Sequence, residues 1–311
     1  MKILITGAAG YIGSMLCTEL VRKGFEVIAI DILKYNQNSL SHLFFFKNFK
    51  FIKGNIKNKK LLKKLLLNSD IVIPLAALVG APLCEKNIKL ATEINFYQIK
   101  NILKILKKSQ KLIYLNSNSG YGVGKKNNFC DEKSPLSPIS HYGKTKVQSE
   151  NQIFESGHKN FVCFRLATVF GYSYRMRTDL IVNYFVSECI KKKRIKIYEP
   201  NFRRNFIHVR DVVRAIIFSI ENFSIVKGNV FNLGLSNANI TKIELAKKIK
   251  KIIKKIKITT IKGKKDPDQR DYFVSNKKIE KKGFKAKITL DEGIKEAYDT
   301  LLLNNDFKNN Y

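Results

Sequence analysis

No stretch of this chain reaches the roughly 20 uninterrupted apolar residues of a membrane span, although 44% of its 311 residues are hydrophobic. A helical membrane protein is therefore not expected, and the length is ample for a buried core. Cysteines are few and scattered: Cys17, Cys84, Cys130, Cys163 and Cys189 are odd in number, and none forms a metal-type pair. That usage predicts reduced thiols, a cytoplasmic protein and no metal centre. Met1 runs at once into a strand-like segment, so no cleavable signal region is expected. Internal repeats and low-complexity linkers are also missing. Acidic residues are scarce, 25 against 58 basic ones, for a net charge of +33. Such a balance can mark a nucleic-acid or anionic-membrane binder. Arginine is scarce too, however, at ten of the 58, and the lysines fill the polar faces of patterns such as Leu61-Leu62-Lys63-Lys64-Leu65-Leu66. Solvated helix faces account for the charge, and neither nucleic acid nor membrane is an expected partner.

What is present begins at once. The apolar run Lys2 to Ile5 leads into Thr6-Gly7-Ala8-Ala9-Gly10-Tyr11-Ile12-Gly13. In such a turn Gly7 lets the chain leave the strand sharply, Gly10 lets backbone approach a pyrophosphate, and Gly13 lets the next helix pack closely on the sheet. The helix start directs N–H groups and a positive dipole end at the phosphates. A second apolar run, Glu26 to Ile30, ends in Asp31, 18 residues beyond Gly13. A carboxylate there accepts hydrogen bonds from the adenosine ribose and repels a 2′-phosphate, so NAD is expected over NADP.

Apolar runs predict strands at 2–6, 26–31, 49–53, 70–76, 111–117 and 161–168, separated by helices at 11–23, 57–67, about 84–108 and about 140–157. This alternation implies parallel βαβ units in an α/β, Rossmann-type doubly wound sheet. After Gly171 the alternation loosens. The expected organisation is a dinucleotide-binding domain over 1–172, rejoined by 207–236, and a smaller α/β substrate-binding domain over 173–311. Its tail holds a long helix, a short strand and a last helix near 290–303.

Tyr142-Gly143-Lys144-Thr145-Lys146 places a phenol and an ammonium one helical turn apart. A tyrosine with its ordinary pKa near 10 is a poor base at neutral pH. A cation on the same helix face, with the positive charge of an oxidised nicotinamide, favours the phenolate. Ser117, at the end of an apolar strand, is the expected hydroxyl partner for a substrate alcohol.

With these residues the chain resembles the extended short-chain dehydrogenase/reductase superfamily, in particular its NAD-dependent nucleotide-sugar epimerases and dehydratases. The resemblance covers nearly the whole sequence. It implies cofactor contacts from Gly7, Ala9, Gly10, Tyr11, Ile12, Gly13, Asp31, Asn55, Ile56, Leu75, Ala76, Ala77 and Asn95, besides Tyr142 and Lys146. Ser117, Tyr142 and Lys146 match the catalytic trio. Ser119, Thr168, Arg175, Arg177, Asn183, Arg204 and Arg270 become candidates for the sugar nucleotide, the arginines because guanidinium forks match phosphate geometry. Arg165 to Gly171 resembles the family's R-x-x-N-x-x-G segment and Arg204 to Asp211 its R-D-x-I-H-V-x-D segment. The resemblance also implies a homodimer. His208, in an apolar run, reads as a core histidine.

Three departures stand out. The family's 4,6-dehydratases carry Asp-Glu directly after the catalytic hydroxyl residue; here those positions are Asn118 and Ser119. Neither side chain shuttles a proton near neutral pH, so elimination of water is disfavoured. Thr168 replaces an Asn and Asn55 replaces an Asp. The segments Pro74 to Cys84, Asn118 to Gly122 and Asp266 to Tyr272 are similar to the branch that oxidises a GDP-heptose at C4. That similarity implies a GDP-heptose substrate, retained NAD(H) and a 2-oxo acid that recycles NADH. A 4-epimerase uses the same residues, and an NAD-binding regulator without turnover is the non-enzymatic alternative.

Overall fold

The computed structural model describes residues 1–124, 129–261, 263 and 271–303. Along the first half run β1 (Lys2–Thr6), α1 (Tyr11–Arg22), β2 (Glu26–Asp31), β3 (Phe49–Lys53), α2 (Lys59–Leu67), β4 (Ile71–Pro74), α3 (Ala81–Lys86), α4 (Ile88–Thr92), α5 (Gln98–Ile105), β5 (Lys111–Ser117), β6 (Phe129–Cys130), α6 (His141–Glu155) and β7 (Phe161–Leu166). The second half adds β8 (Thr168–Phe170), α7 (Ile181–Lys192), β9 (Arg194–Ile197), β10 (Arg203–His208), α8 (Val209–Glu221), α9 (Phe223–Val226), β11 (Asn229–Leu233), β12 (Asn239–Thr241), α10 (Lys242–Ile252), β13 (Lys257–Thr260), β14 (Phe273–Val274), α11 (Lys277–Glu280) and α12 (Leu290–Leu303).

Seven strands form one parallel sheet in the order β11-β7-β5-β4-β1-β2-β3. The chain builds outward from β1 to β3, then crosses back to lay β4 on the other side of β1. That reversal opens a crevice between the C-terminal ends of β1 and β4, where ligands of such sheets bind. Both faces are covered, so the centre of β1, Ile3-Leu4-Ile5, is an unbroken apolar run rather than alternating with polar residues. Ile3 and Ile5 join the core layer of α1 and α8, while Leu4 joins the opposite layer with Leu62, Leu66 and Ile102. The period of two in a strand divides them.

Two expectations on the elements are corrected. The single helix expected over about 84–108 is broken into α3, α4, a π-helical turn at Glu93–Tyr97 and α5. Asn87 interrupts it in a non-helical conformation between α3 and α4. The π turn holds Asn95, whose carboxamide is taken by the backbone of Leu78: Oδ1 accepts its N–H at 2.9 Å and Nδ2 donates to its carbonyl at 2.9 Å. The strand expected over 161–168 stops at Leu166. Ala167 N–H donates to Leu233 O at 2.9 Å, and β8 turns away to pair with β10 in a three-stranded sheet completed by β12.

Beyond the large sheet, β9 pairs with β13 and β6 with β14. Segment 207–236 divides: β10 lies in the three-stranded sheet, whereas α8 packs on α1 and β11 forms an edge of the large sheet. Among the described residues no helix is long and apolar enough to cross a membrane. All five cysteines are buried, with no disulfide between them.

Candidate active site

The crevice at the strand reversal is a cavity of about 640 Å³, walled by the glycine turn, the ends of β2, β4 and β5, the start of α6, and the segments around Thr168, Arg175 and Arg204. Gly7 has φ +66°, and a Cβ there would lie 2.6 Å from Ala76 N; on Gly13 it would lie 2.5 Å from Gly7 O. Neither position has room for a side chain, so the turn folds tightly against both α1 and the segment after β4. α1 starts at Gly10 with no side-chain cap and no acidic residue in its first turn. Its first N–H groups suit an anion.

Asp31 ends β2 on the cavity wall, accepting hydrogen bonds from Leu33 N–H at 2.8 Å and Ala9 N–H at 3.1 Å. Burial raises its carboxyl pKa, against the pull of those N–H groups and of the Arg175 charge. Asn55 and Ile56 line the same end. Asn55 Oδ1 accepts Lys57 N–H at 2.9 Å, closing a local turn. Leu75, Ala76 and Ala77 line the floor, with Ala76 N–H donating to Thr6 Oγ1 at 3.2 Å. An uncapped helix start, a backbone cradle without Cβ atoms and an aimed carboxylate fit a dinucleotide without a 2′-phosphate.

Ser117, Ser119, Tyr142 and Lys146 all reach the cavity. Ser117 closes β5; its Oγ lies 2.9 Å from Ser119 Oγ and accepts Ser119 N–H at 3.1 Å. Ser140 caps α6, accepting Gly143 N–H at 3.2 Å, so Tyr142 sits in the first turn and Lys146 one turn further on the same face. The Lys146 ammonium lies 4.2 Å from the centre of the Tyr114 ring. Burial pushes its pKa down from the ordinary 10.5 to about 7, opposed by charges including Glu150. Glu150 is itself only 1% exposed and forms an ion pair with Arg165 at 2.6 Å. Arg165 also donates to Tyr121 Oη at 2.9 Å. This buried network locks α6 to the ends of β5 and β7. Sequence reading passed over Glu150, although its position four residues after Lys146 was the available signal.

The second end of the cavity is formed by Thr168 and Arg204. Thr168 pairs with Phe206 across β8 and β10, and its Oγ1 is buried without a hydrogen-bond partner. Arg204 is 2% exposed and donates Nη1 to Arg203 O at 2.9 Å. Arg203 in turn forms a two-bonded ion pair with Asp271. Arg270 lies outside the described residues.

Several candidates stand elsewhere than expected. Arg177 lines the cavity but is paired with Asp179. Arg175 neighbours Asp31 and Tyr35 at the dinucleotide end. Ala9, Asn95 and Asn183 do not line the cavity. Asn183 is fully buried and stitches a turn, accepting Gly171 N–H at 3.0 Å and donating to Arg177 O at 2.9 Å. Asn95 braces the loop at Leu78 and donates to Thr145 Oγ1 at 3.4 Å. Tyr11 lines the cavity while its hydroxyl donates to Gly171 O at 2.7 Å. His208 is buried, caps α8 and meets Glu296 at 3.0 Å.

The fold and this cavity define a Rossmann-type dinucleotide-binding protein. The chain belongs to the NAD dependent epimerase/dehydratase family, whose model matches residues 3–234. NAD is its cofactor. It is 31% identical over 271 residues to the dTDP-D-glucose 4,6-dehydratase of Dictyostelium discoideum, a match covering 80% of this chain and 61% of that protein. It is 29% identical to the ADP-L-glycero-D-manno-heptose-6-epimerase of Brachyspira hyodysenteriae, covering 83% of each. Among solved structures, UDP-glucuronic acid 4-epimerase from Bacillus cereus, in complex with UDP-glucuronic acid and NAD, superposes with a TM-score of 0.86 at 25% identity. That match covers 97% of this chain and 99% of the other.

The buried lysine makes a prediction for the cofactor-free protein. Because the folded pKa of Lys146 is depressed to about 7, unfolded chains bind a proton between pH 7 and 10.5 that folded ones do not. Its contribution to stability is therefore full above 10.5 and is lost as pH falls through this window to 7. Lys146→Met removes the dependence. Denaturant titrations are expected to show the variant gaining on wild type as pH falls, by on the order of 4 kcal/mol at pH 7. A constant difference across the window would contradict it.

Proposed function

We propose that the protein oxidises C4 of a nucleoside-diphosphate sugar, in the manner of GDP-D-glycero-α-D-manno-heptose 4-dehydrogenase. The observation that carries this reading is one cavity shared by Ser117, Tyr142, Lys146, Thr168 and Arg204, with Asn118 and Ser119 where dehydratases keep their acid and base. Tyr142 as phenolate takes the proton of the sugar 4-hydroxyl, while Ser117 holds the same oxygen. The Lys146 ammonium stabilises the phenolate. NAD, held by the glycine turn and Asp31, supplies the acceptor for the hydrogen leaving C4. Arg204 binds the diphosphate, with Arg270 as a second cation. Thr168 Oγ1, buried without a partner, offers the substrate a hydrogen bond that nothing in the protein takes.

The same residues serve a second reading, a 4-epimerase, favoured by the epimerases among the relatives. We further propose a dinucleotide domain over 1–172 with 207–236, a sugar-nucleotide domain over 173–311, a homodimer, a cytoplasmic location and a 2-oxo acid as the final hydrogen acceptor. The test begins with thermal shifts against GDP, UDP, CDP and dTDP sugars, where a GDP-heptose is expected to stabilise most. Turnover of the selected sugar should then give a product lighter by two hydrogens. Unchanged mass with a new configuration at C4 would establish the epimerase instead, and preference for a UDP sugar would overturn the GDP assignment.

A further inference from the structure

Two segments remote in sequence meet above the glycine turn. One follows β2 and carries Tyr35 and His42; the other follows β8 and carries Ser173, Tyr174 and Arg175. The second is fastened to α1: Ser173 Oγ donates to Tyr11 O at 2.6 Å, and Arg175 N–H donates to Ser14 Oγ at 3.3 Å. It then reaches across to the first. The Tyr174 ring stacks on His42 with centres 4.3 Å apart, and the Arg175 guanidinium lies 5.1 Å from the centre of the Tyr35 ring. His42 is tied back to α1, its Nε2 lying 2.9 Å from Thr18 Oγ1. Asp31, Tyr35 and Arg175 share the cavity wall with the glycine turn.

We propose that this contact is a clasp over the cofactor, in which Arg175 and Tyr35 are positioning residues for NAD(H) rather than contacts to the sugar nucleotide. Asp31 is a half-buried anion on the same wall and opposes the negative dinucleotide phosphates. The Arg175 guanidinium, whose Nη1 donates to Met176 O at 2.6 Å, is held beside it, offsets that repulsion and brings positive charge towards the phosphates. Stacking on Tyr35 fixes the direction of the guanidinium. The Tyr174–His42 stack closes the two segments outside it, so the dinucleotide leaves only when both contacts part. Hydrogen accepted from a sugar is then returned to the sugar or passed to a second carbonyl compound, reduced to an alcohol, with the dinucleotide still in place. The proposal rests on NAD use and is independent of which sugar is bound.

The test follows loss of bound cofactor, by NADH fluorescence, from purified wild type, Arg175→Ala, Arg175→Lys and Tyr35→Leu into excess trapping enzyme. Affinities for GDP and UDP are measured separately by calorimetry. Loss is expected to be roughly tenfold faster in Arg175→Ala and Tyr35→Leu, the worth of one desolvated cation–π contact. Arg175→Lys should fall between, keeping the charge without the planar guanidinium, and nucleoside-diphosphate affinities should hold within about a factor of two. Tyr35→Leu leaves the segment after β8 intact, so a folding failure in the arginine variants leaves a working arm. Unchanged loss rates, or a wild type that exchanges cofactor as fast as the variants, would overturn the clasp. Weakened nucleoside-diphosphate binding with cofactor retention intact would return Arg175 to the substrate.

Discussion

Tyr142→Phe is expected to lower the rate of sugar oxidation by roughly 10²-fold or more while the protein still binds NAD, as loss of a general base requires. The change removes one oxygen from the first turn of α6 and leaves the ring that packs against Leu78, Leu83, Cys84 and Ala91. Stability should therefore shift by no more than about 1 kcal/mol. Ser117 lines the same cavity but has no means of taking a proton near neutral pH, so the loss has no substitute among the neighbouring hydroxyls. Single-turnover measurement of NADH formation, with melting curves on the same preparations, separates chemistry from folding. Near-normal turnover in the variant would place the base elsewhere.

The second large effect concerns the product. Every product is expected to retain the oxygen at C6, from any nucleotide hexose or heptose offered. Dehydration across C5 and C6 needs one group to remove the C5 proton and another to protonate the departing hydroxyl. The family resemblance puts Asn118 and Ser119 at the positions of that pair. Asn118 is 1% exposed with neither polar side-chain atom hydrogen-bonded, and a carboxamide neither ionises nor accepts a proton near neutral pH. Ser119 spends its Oγ beside Ser117. The dehydratase among the relatives is matched by sequence; the proposal assigns the difference in chemistry to these two positions. Mass spectrometry decides the matter, since a product lighter by one water would refute the assignment.

The features that were legible without coordinates are local ones. The strand–turn–helix from Lys2 to Arg22, the carboxylate at the end of β2 and the Tyr142–Lys146 spacing each lie within a window of a few turns. Strand burial repeats every two residues and helix burial every 3.6, so the amino-acid order alone carries them. The sharp turn at Gly7 and the tight helix packing at Gly13 likewise follow from glycine's missing Cβ. With these came the α/β class and the dinucleotide, and on the Tyr142–Lys146 spacing rests the proposal of a tyrosine base.

What only the tertiary structure decided depends on contacts between distant residues. The break in the 84–108 helix falls at Asn87, with the π turn beyond it where Asn95 is held by Leu78, and the chain after Ala167 leaves the large sheet to pair with β10. Glu150 needed Arg165, from the next strand, to become part of the site's frame. Asn183 and Arg175 share one stretch of sequence, yet one is consumed by the turn at Gly171 and the other faces Tyr35 across 140 residues of chain. Composition and spacing determine which side chains can do chemistry; the strand reversal beside β1 and the packing around it determine which of them meet. The reason is physical: a side chain's partners are set by the packing of whole layers, and no local window of sequence contains them.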